Sequence, residues 1–224
     1  MKLSEIFNQL TYGELSQIHL GGAEAGEINK DNYPKVLAHI NLGLAALYKR
    51  FPLKEGRKVF VCEPGKVSYL LDTGEVQKVE RVYTDAKKEL GLNDESDPHS
   101  CFTPSTHVLK VPVGVSAWTS EYPDYLKTST LEVVYRANHP VITTDDLDFY
   151  DVEEIEVDLP YSHLEPLLYY VASRVNNPMG MANEFHAGNS YYAKYEAACQ
   201  QLEMVNLRVD QGSQNNRLQR NGWV

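Results

Sequence analysis

Leu70-Leu71-Asp72-Thr73-Gly74 contains the triplet that aspartic proteases use. There, two carboxylates must approach closely and share a proton. One copy per chain works only in a symmetric dimer, as in retroviral proteases. Those enzymes follow the triplet with a small residue, and here Glu75 follows. Asp-Thr-Gly between two strand-like runs is also an ordinary turn. The run from Asp145 to Asp158 offers hard oxygen ligands for calcium, but it lacks the EF-hand order of glycine and glutamate. Ser100, Cys101 and His107 lie close together, yet nothing beside them reads as a nucleophile elbow or an oxyanion site. No two histidines stand four apart. Neither G-x-x-x-x-G-K-[ST] nor G-x-G-x-x-G occurs, and the acids after Gly21-Gly22 would repel phosphate. The chain reads as a structural protein, not an enzyme, with no cofactor and no metal.

Charge sharpens that reading. There are 31 acidic against 21 basic side chains, a formal charge of −10, so a basic footprint for gripping DNA is missing. Between Arg136 and Arg174 there is no Lys or Arg. The acids of that gap start at Asp145, Asp146 and Asp148 and are expected to form one face. Cys62, Cys101 and Cys199 are odd in number and far apart, which fits a reducing compartment. The N-terminus does not read as a signal peptide, and no apolar run approaches a membrane span. The expectation is a soluble protein that is intracellular when made. Tyrosine is abundant, 15 residues, with doublets at Tyr169-Tyr170 and Tyr191-Tyr192. Tyrosine is enriched at interfaces, and two adjacent helix positions cannot both face one narrow core.

These residues need a frame. Leu3, Ile6, Phe7 and Leu10 have helical spacing, stopped by Gly13. A second helix is predicted from about Asn32, with Pro34 in its first turn. Its stripe is Val36, Leu37, Ile40, Leu44, Leu47, Tyr48 and Phe51, and Pro52 ends it. Short strands follow around 59–61, 67–71, 77–83, 108–113 and 130–136, with 86–107 read as a polar, turn-rich stretch. Helical spacing returns over 164–175, and a last helix is expected from about Met181 to Val209. After it, Gln, Asn and Gly dominate, and nothing can bury a core face until Trp223. The expected class is α+β: a helical bundle from residues 1–56 and 159–209, an inserted all-β module at 57–158, and an extended C-terminal arm at 210–224.

The order of several segments resembles the head-to-tail adaptor, or connector, family of short-tailed bacteriophages. They are Asn32 to Phe51, ending Lys-Arg-Phe; Leu90-Gly91-Leu92-Asn93-Asp94 with Phe102-Thr103-Pro104 and Val108 to Pro112; Thr130 to Pro140; Leu159-Pro160 with Leu164 to Arg174; and Tyr191 to Leu202. None carries chemistry, and order and spacing make the resemblance. It implies a virion protein at the head–tail junction that forms a twelve-fold ring with itself and joins the portal protein to a tail or nozzle protein. It also implies that genomic DNA passes without specific binding and that the arm docks between portal subunits. The arm residues expected to bind are Arg217, Leu218, Arg220, Trp223 and Val224. Tyr169, Tyr170, Tyr191 and Tyr192 are the candidate subunit interface, and Asp145, Asp146 and Asp148 the candidate channel lining, since lumen acids repel phosphates. The alternatives are a tail-completion or stopper protein of the neck and, further off, a dimeric aspartic protease.

Overall fold

The computed structural model describes residues 1–18, 20, 25–63, 65–112, 128–149, 151–176 and 182–205. The class is α+β. The chain divides into two compact units: Met1–Leu53 with the chain from Val141 onward, and Lys54–Pro140.

The first unit is helical. Helix α1 (Leu3–Tyr12) buries Leu3, Ile6, Phe7 and Leu10, the four positions the spacing selects, and Gly13 caps its end. Helix α2 (Tyr33–Arg50) has Pro34 in its first turn and buries Val36, Leu37, Ile40, Gly43, Leu44, Leu47 and Tyr48. A short helix α3 (Thr144–Phe149) follows the second crossing between the units. A 3-10 turn (Tyr161–His163) then leads into α4 (Leu164–Val175), and α5 is Ala182–Met204. Helix α4 packs on α5, α2 and α1. Gly43 lets α2 and α4 approach, since a Cβ there would lie 2.6 Å from Leu167 Cδ1 and 3.0 Å from Tyr170 Cδ1.

The second unit is antiparallel β. One sheet has the order β1-β7-β3-β4 and the other β2-β6-β5. The strands are β1 (Glu55–Val61), β2 (Ser68–Leu70), β3 (Val76–Thr84), β4 (Glu89–Leu90), β5 (Phe102–Ser105), β6 (Val108–Lys110) and β7 (Thr130–Ala137). Both sheets feed one core, with Tyr69 and Leu109 from the smaller and Val79, Val82, Leu131, Val133 and Tyr135 from the larger.

Three expectations need correction. The boundary at 158 is wrong, because residues 141–158 belong to the helical unit. Ile142, Val157 and Leu159 lie in its core, and Asn41 on α2 donates to the Ile142 carbonyl at 2.8 Å while accepting from its N–H at 3.1 Å. The extended stretch is tied to the N-terminus, with Leu3 N–H donating to Ile155 O (2.9 Å) and Val157 N–H to Met1 O (2.8 Å). The stretch 86–107 contains β4 and β5 as well as turns. The stripe of α5 holds at Tyr195 and Ala198, but Val205 is 68% exposed, so it does not continue the buried seam.

Candidate functional site

Asp72 is committed to its own turn. Its Oδ1 accepts from the backbone of Gly74 (2.8 Å) and Glu75 (3.2 Å), as an Asx turn requires. Ser100 and Cys101 are buried and structural. Ser100 Oγ accepts from the Asp94 N–H (3.0 Å) and donates to the Cys101 carbonyl (3.2 Å). Burial pushes the Cys101 thiol up to about 12, the opposite of an activated nucleophile. Among the described residues no cluster of three His, Cys, Asp or Glu is placed to hold a metal ion, and no helix is long and apolar enough to cross a membrane.

The acidic segment lies on α3 and the stretch after it. Asp145 and Asp148 are exposed. Asp146 instead caps the helix, accepting from Thr143 N–H (2.6 Å) and Oγ1 (2.7 Å), and these bonds lower its pKa. Thr143-Thr144-Asp145-Asp146 is a capping-box pattern, a local signal of this helix that strand and charge reading passed over. Glu156 pairs with Lys2 at 3.0 Å, and that contact lowers its pKa. Tyr48 donates its hydroxyl to the Asp158 carbonyl, and burial first, then the Asp158 charge, raises its pKa.

The four candidate interface tyrosines divide. Tyr170 is buried, edge-on to Tyr195 at 5.3 Å, with the Arg174 guanidinium 5.2 Å from its ring. Tyr169 and Tyr191 are half-buried, 6.4 Å apart, and Lys194 Nζ lies 5.6 and 4.7 Å from their rings. The Tyr169 hydroxyl donates to Glu165 at 2.9 Å, which with burial pushes it up to about 12. Tyr192, 46% exposed, is the member left facing outward. The doublets thus brace α4 against α5 and leave one ring exposed. Arg217, Leu218, Arg220, Trp223 and Val224 lie outside the described residues.

Sequence reading missed Arg50 as the pin of the helical unit. From the end of α2 it donates to Glu196 (2.7 Å) and to Glu203 (2.8 Å) on α5, and those bonds, Glu203 first, raise its pKa. Next to it, Phe51 meets buried His163 edge-on at 4.8 Å. In the β unit the segment 90–104 closes on itself. Asn93, in the left-handed region at φ 55°, donates to Thr103 Oγ1 and accepts from Thr103 N–H, both at 2.9 Å. Cys101 N–H donates to Gly91 O at 2.8 Å.

No family profile matches the chain, and no curated protein matches it in sequence. Among solved structures it is similar to a chain from the neck of an empty gene transfer agent particle, at 12% identity and TM-score 0.28, covering 81% of this chain and 81% of that one. It is similar also to a chain from the virion of a native gene transfer agent particle, at 14% identity and TM-score 0.28, covering 87% of this chain and 88% of that one. Scores this low establish no shared fold.

Proposed function

We propose that this chain is a structural protein of a phage-like virion, a ring-forming head-to-tail adaptor in the neck that joins the portal to the tail and forms part of the DNA channel. The observation that carries the reading is where the family-like segments fall. Lys49-Arg50-Phe51, Leu164 to Arg174 and Tyr191 to Leu202 meet through Arg50–Glu196 and through Tyr170–Tyr195. Leu90 to Asp94 and Phe102 to Pro104 meet through Asn93–Thr103, and Thr130 to Pro140 holds β7, which lies between β1 and β3. The likeness therefore lies on residues that set the frame, not on interchangeable surface.

A ring needs two different patches on each subunit. Exposed Tyr192, Met204 and Val205 on and after α5 supply one candidate, and Leu42 on α2 another. The acids of α3 suit a channel wall that DNA must pass without adhering. The arm is the part assigned to the portal, with Trp223 as its anchor, because buried tryptophans commonly dominate interfaces.

The test is electron microscopy of the purified chain and of particles, with cross-linking to neighbours. Rings, density at the neck and cross-links to the portal are expected. Cross-links to tail proteins alone would favour a stopper or tail-completion role. Proteolysis lost in Asp72→Asn would replace the proposal altogether. Trp223→Ala should weaken portal binding more than Arg217→Ala or Arg220→Ala. Equal losses would mean diffuse polar contacts.

A further inference from the structure

A cavity of about 200 Å3 opens in the helical unit between the first turn of α2 and the acidic segment. Tyr33, Pro34, Leu147 and Val152 line it with apolar surface, and Asp148 and Asp151 carry its charge, with Lys30 on one wall. Both carboxylates are exposed, and neither takes part in the ion pairs among the described residues. Apolar surface beside two unneutralised carboxylates selects an occupant with a large apolar side chain and guanidinium groups close by.

The chain carries such a stretch. Residues 206–224 hold Arg208, Arg217 and Arg220 against one acidic side chain, Asp210, with Leu218 and Trp223 near the last two arginines. The stretch follows α5, which belongs to the same unit as the cavity. The 18 residues from Val205 to Trp223 reach about 60 Å when extended, roughly twice the length of α2 at 18 residues. We propose that the C-terminal segment docks in the cavity of its own chain, with Trp223 in the apolar part and Arg217 and Arg220 on Asp148 and Asp151. Tethering makes the docking intramolecular, at an effective concentration of the order of mM. The docking stands apart from the proposed function. Only its consequence rests on that reading: an arm meant for the portal is held on its own subunit until a portal groove takes it, and its departure uncovers the acids.

The test uses the full chain with Trp118→Phe, which leaves Trp223 as the single tryptophan. At low salt its emission should be blue-shifted and shielded from acrylamide, and the shielding should survive dilution. It should fall several-fold in Asp148→Asn/Asp151→Asn and at high salt. Arg217→Gln/Arg220→Gln should show the same loss without altering the cavity. Three results overturn the proposal. The first is Trp223 fully open to quencher in the parent. The second is shielding that neither pair of substitutions reduces. The third is shielding that disappears on dilution, which places the segment on another copy.

Discussion

The two units use their charges in different ways. On the β sheet, Glu55 binds Arg57 (3.0 Å) and Arg81 (3.1 Å), while Glu132 binds Arg57 (3.5 Å) and Lys87. Acid and base answer each other across β1, β7 and β3, over the buried Val134. In the helical unit Arg50 and Lys2 are paired, but Asp145, Asp148, Asp151, Glu153 and Glu154 take part in no ion pair among the described residues. Like charges facing water repel modestly, yet together they set a fixed potential. The charges along β1, β7 and β3 neutralise one another, and the acids from Asp145 to Glu154 do not. A partner is best sought on the second.

The largest effects test whether the units hold themselves separately. Leu167 and Leu131 are fully buried, one in each core. Either changed to alanine should lose about 2–5 kcal/mol. Hydrogen exchange should show Leu167→Ala opening α2, α4 and α5 first, and Leu131→Ala opening β1, β3 and β7 first. Identical loss of protection in both units from either variant would break the division.

A glycine in each unit gives a finer contrast. At Gly56 a Cβ would lie 2.4 to 2.7 Å from the Tyr135 ring and hydroxyl. That ring is buried, and its hydroxyl donates to Glu75. Gly56→Ala should cost about 1–3 kcal/mol, as overpacking does. At Gly43 the close atoms are the tip of Leu167 at 2.6 Å and the edge of the Tyr170 ring at 3.0 Å, and the better helix propensity of alanine, about 1 kcal/mol, offsets part of the crowding. Gly43→Ala should therefore stay within about 1 kcal/mol of the parent in chemical denaturation. A larger loss at Gly43 than at Gly56 would show that the α2–α4 seam is the more rigid.

Acid should separate the units next. Burial lowers the pKa of His163, and burial together with Arg174 lowers that of His39, both from an ordinary 6.5 and both in the helical unit. The folded state favours the neutral rings, so the unfolded state binds more protons below that value. Stability of the helical unit should fall as pH drops from 7 through 6 to 5, before the carboxylates titrate. His163 packs on Phe51 beside Ser162. His163→Gln should flatten the slope even if it lowers the melting temperature. An unchanged slope would place the pH sensitivity elsewhere.

How far the sequence could be read follows the range of each interaction. The stripe of α2 and that of α1 repeat within the element, so the buried set of each was legible down to single residues. The strands were legible as β-branched runs, but the bulges in β3 against β7, between Val76 and Lys78 and between Val79 and Arg81, follow from pairing with a distant strand. The same limit hid where 141–158 belongs. Its partners are Asn41, Met1 and Leu3, and no local pattern points to them. The tyrosine doublets were visible as such, yet which ring of each faces out depends on how α4 turns against α5. The acidic run was visible from counting alone, whereas the cavity beside it needs Tyr33 and Pro34 brought to Leu147 and Val152.

The smallest effect on stability belongs to the acids of α3, and it tests most directly how differently the two units use their charges. Asp146 must be left alone, because it holds Thr143 through two hydrogen bonds. Losing that cap would mix a folding defect into the result. Asp145 and Asp148 are exposed and form no ion pair among the described residues, so Asp145→Asn/Asp148→Asn should leave the melting temperature and any ring unchanged. If equivalent acids of neighbouring copies gather around a channel, removing two from every subunit weakens a potential that adds around the ring. The same two charges on an outer face would be screened beyond about 8 Å at physiological salt. The double variant should therefore assemble normally and deliver DNA more slowly, with the defect largest at low salt. Normal delivery at every ionic strength would place these carboxylates on an outer solvated face, and the contrast between the units would then reflect solubility, not passage.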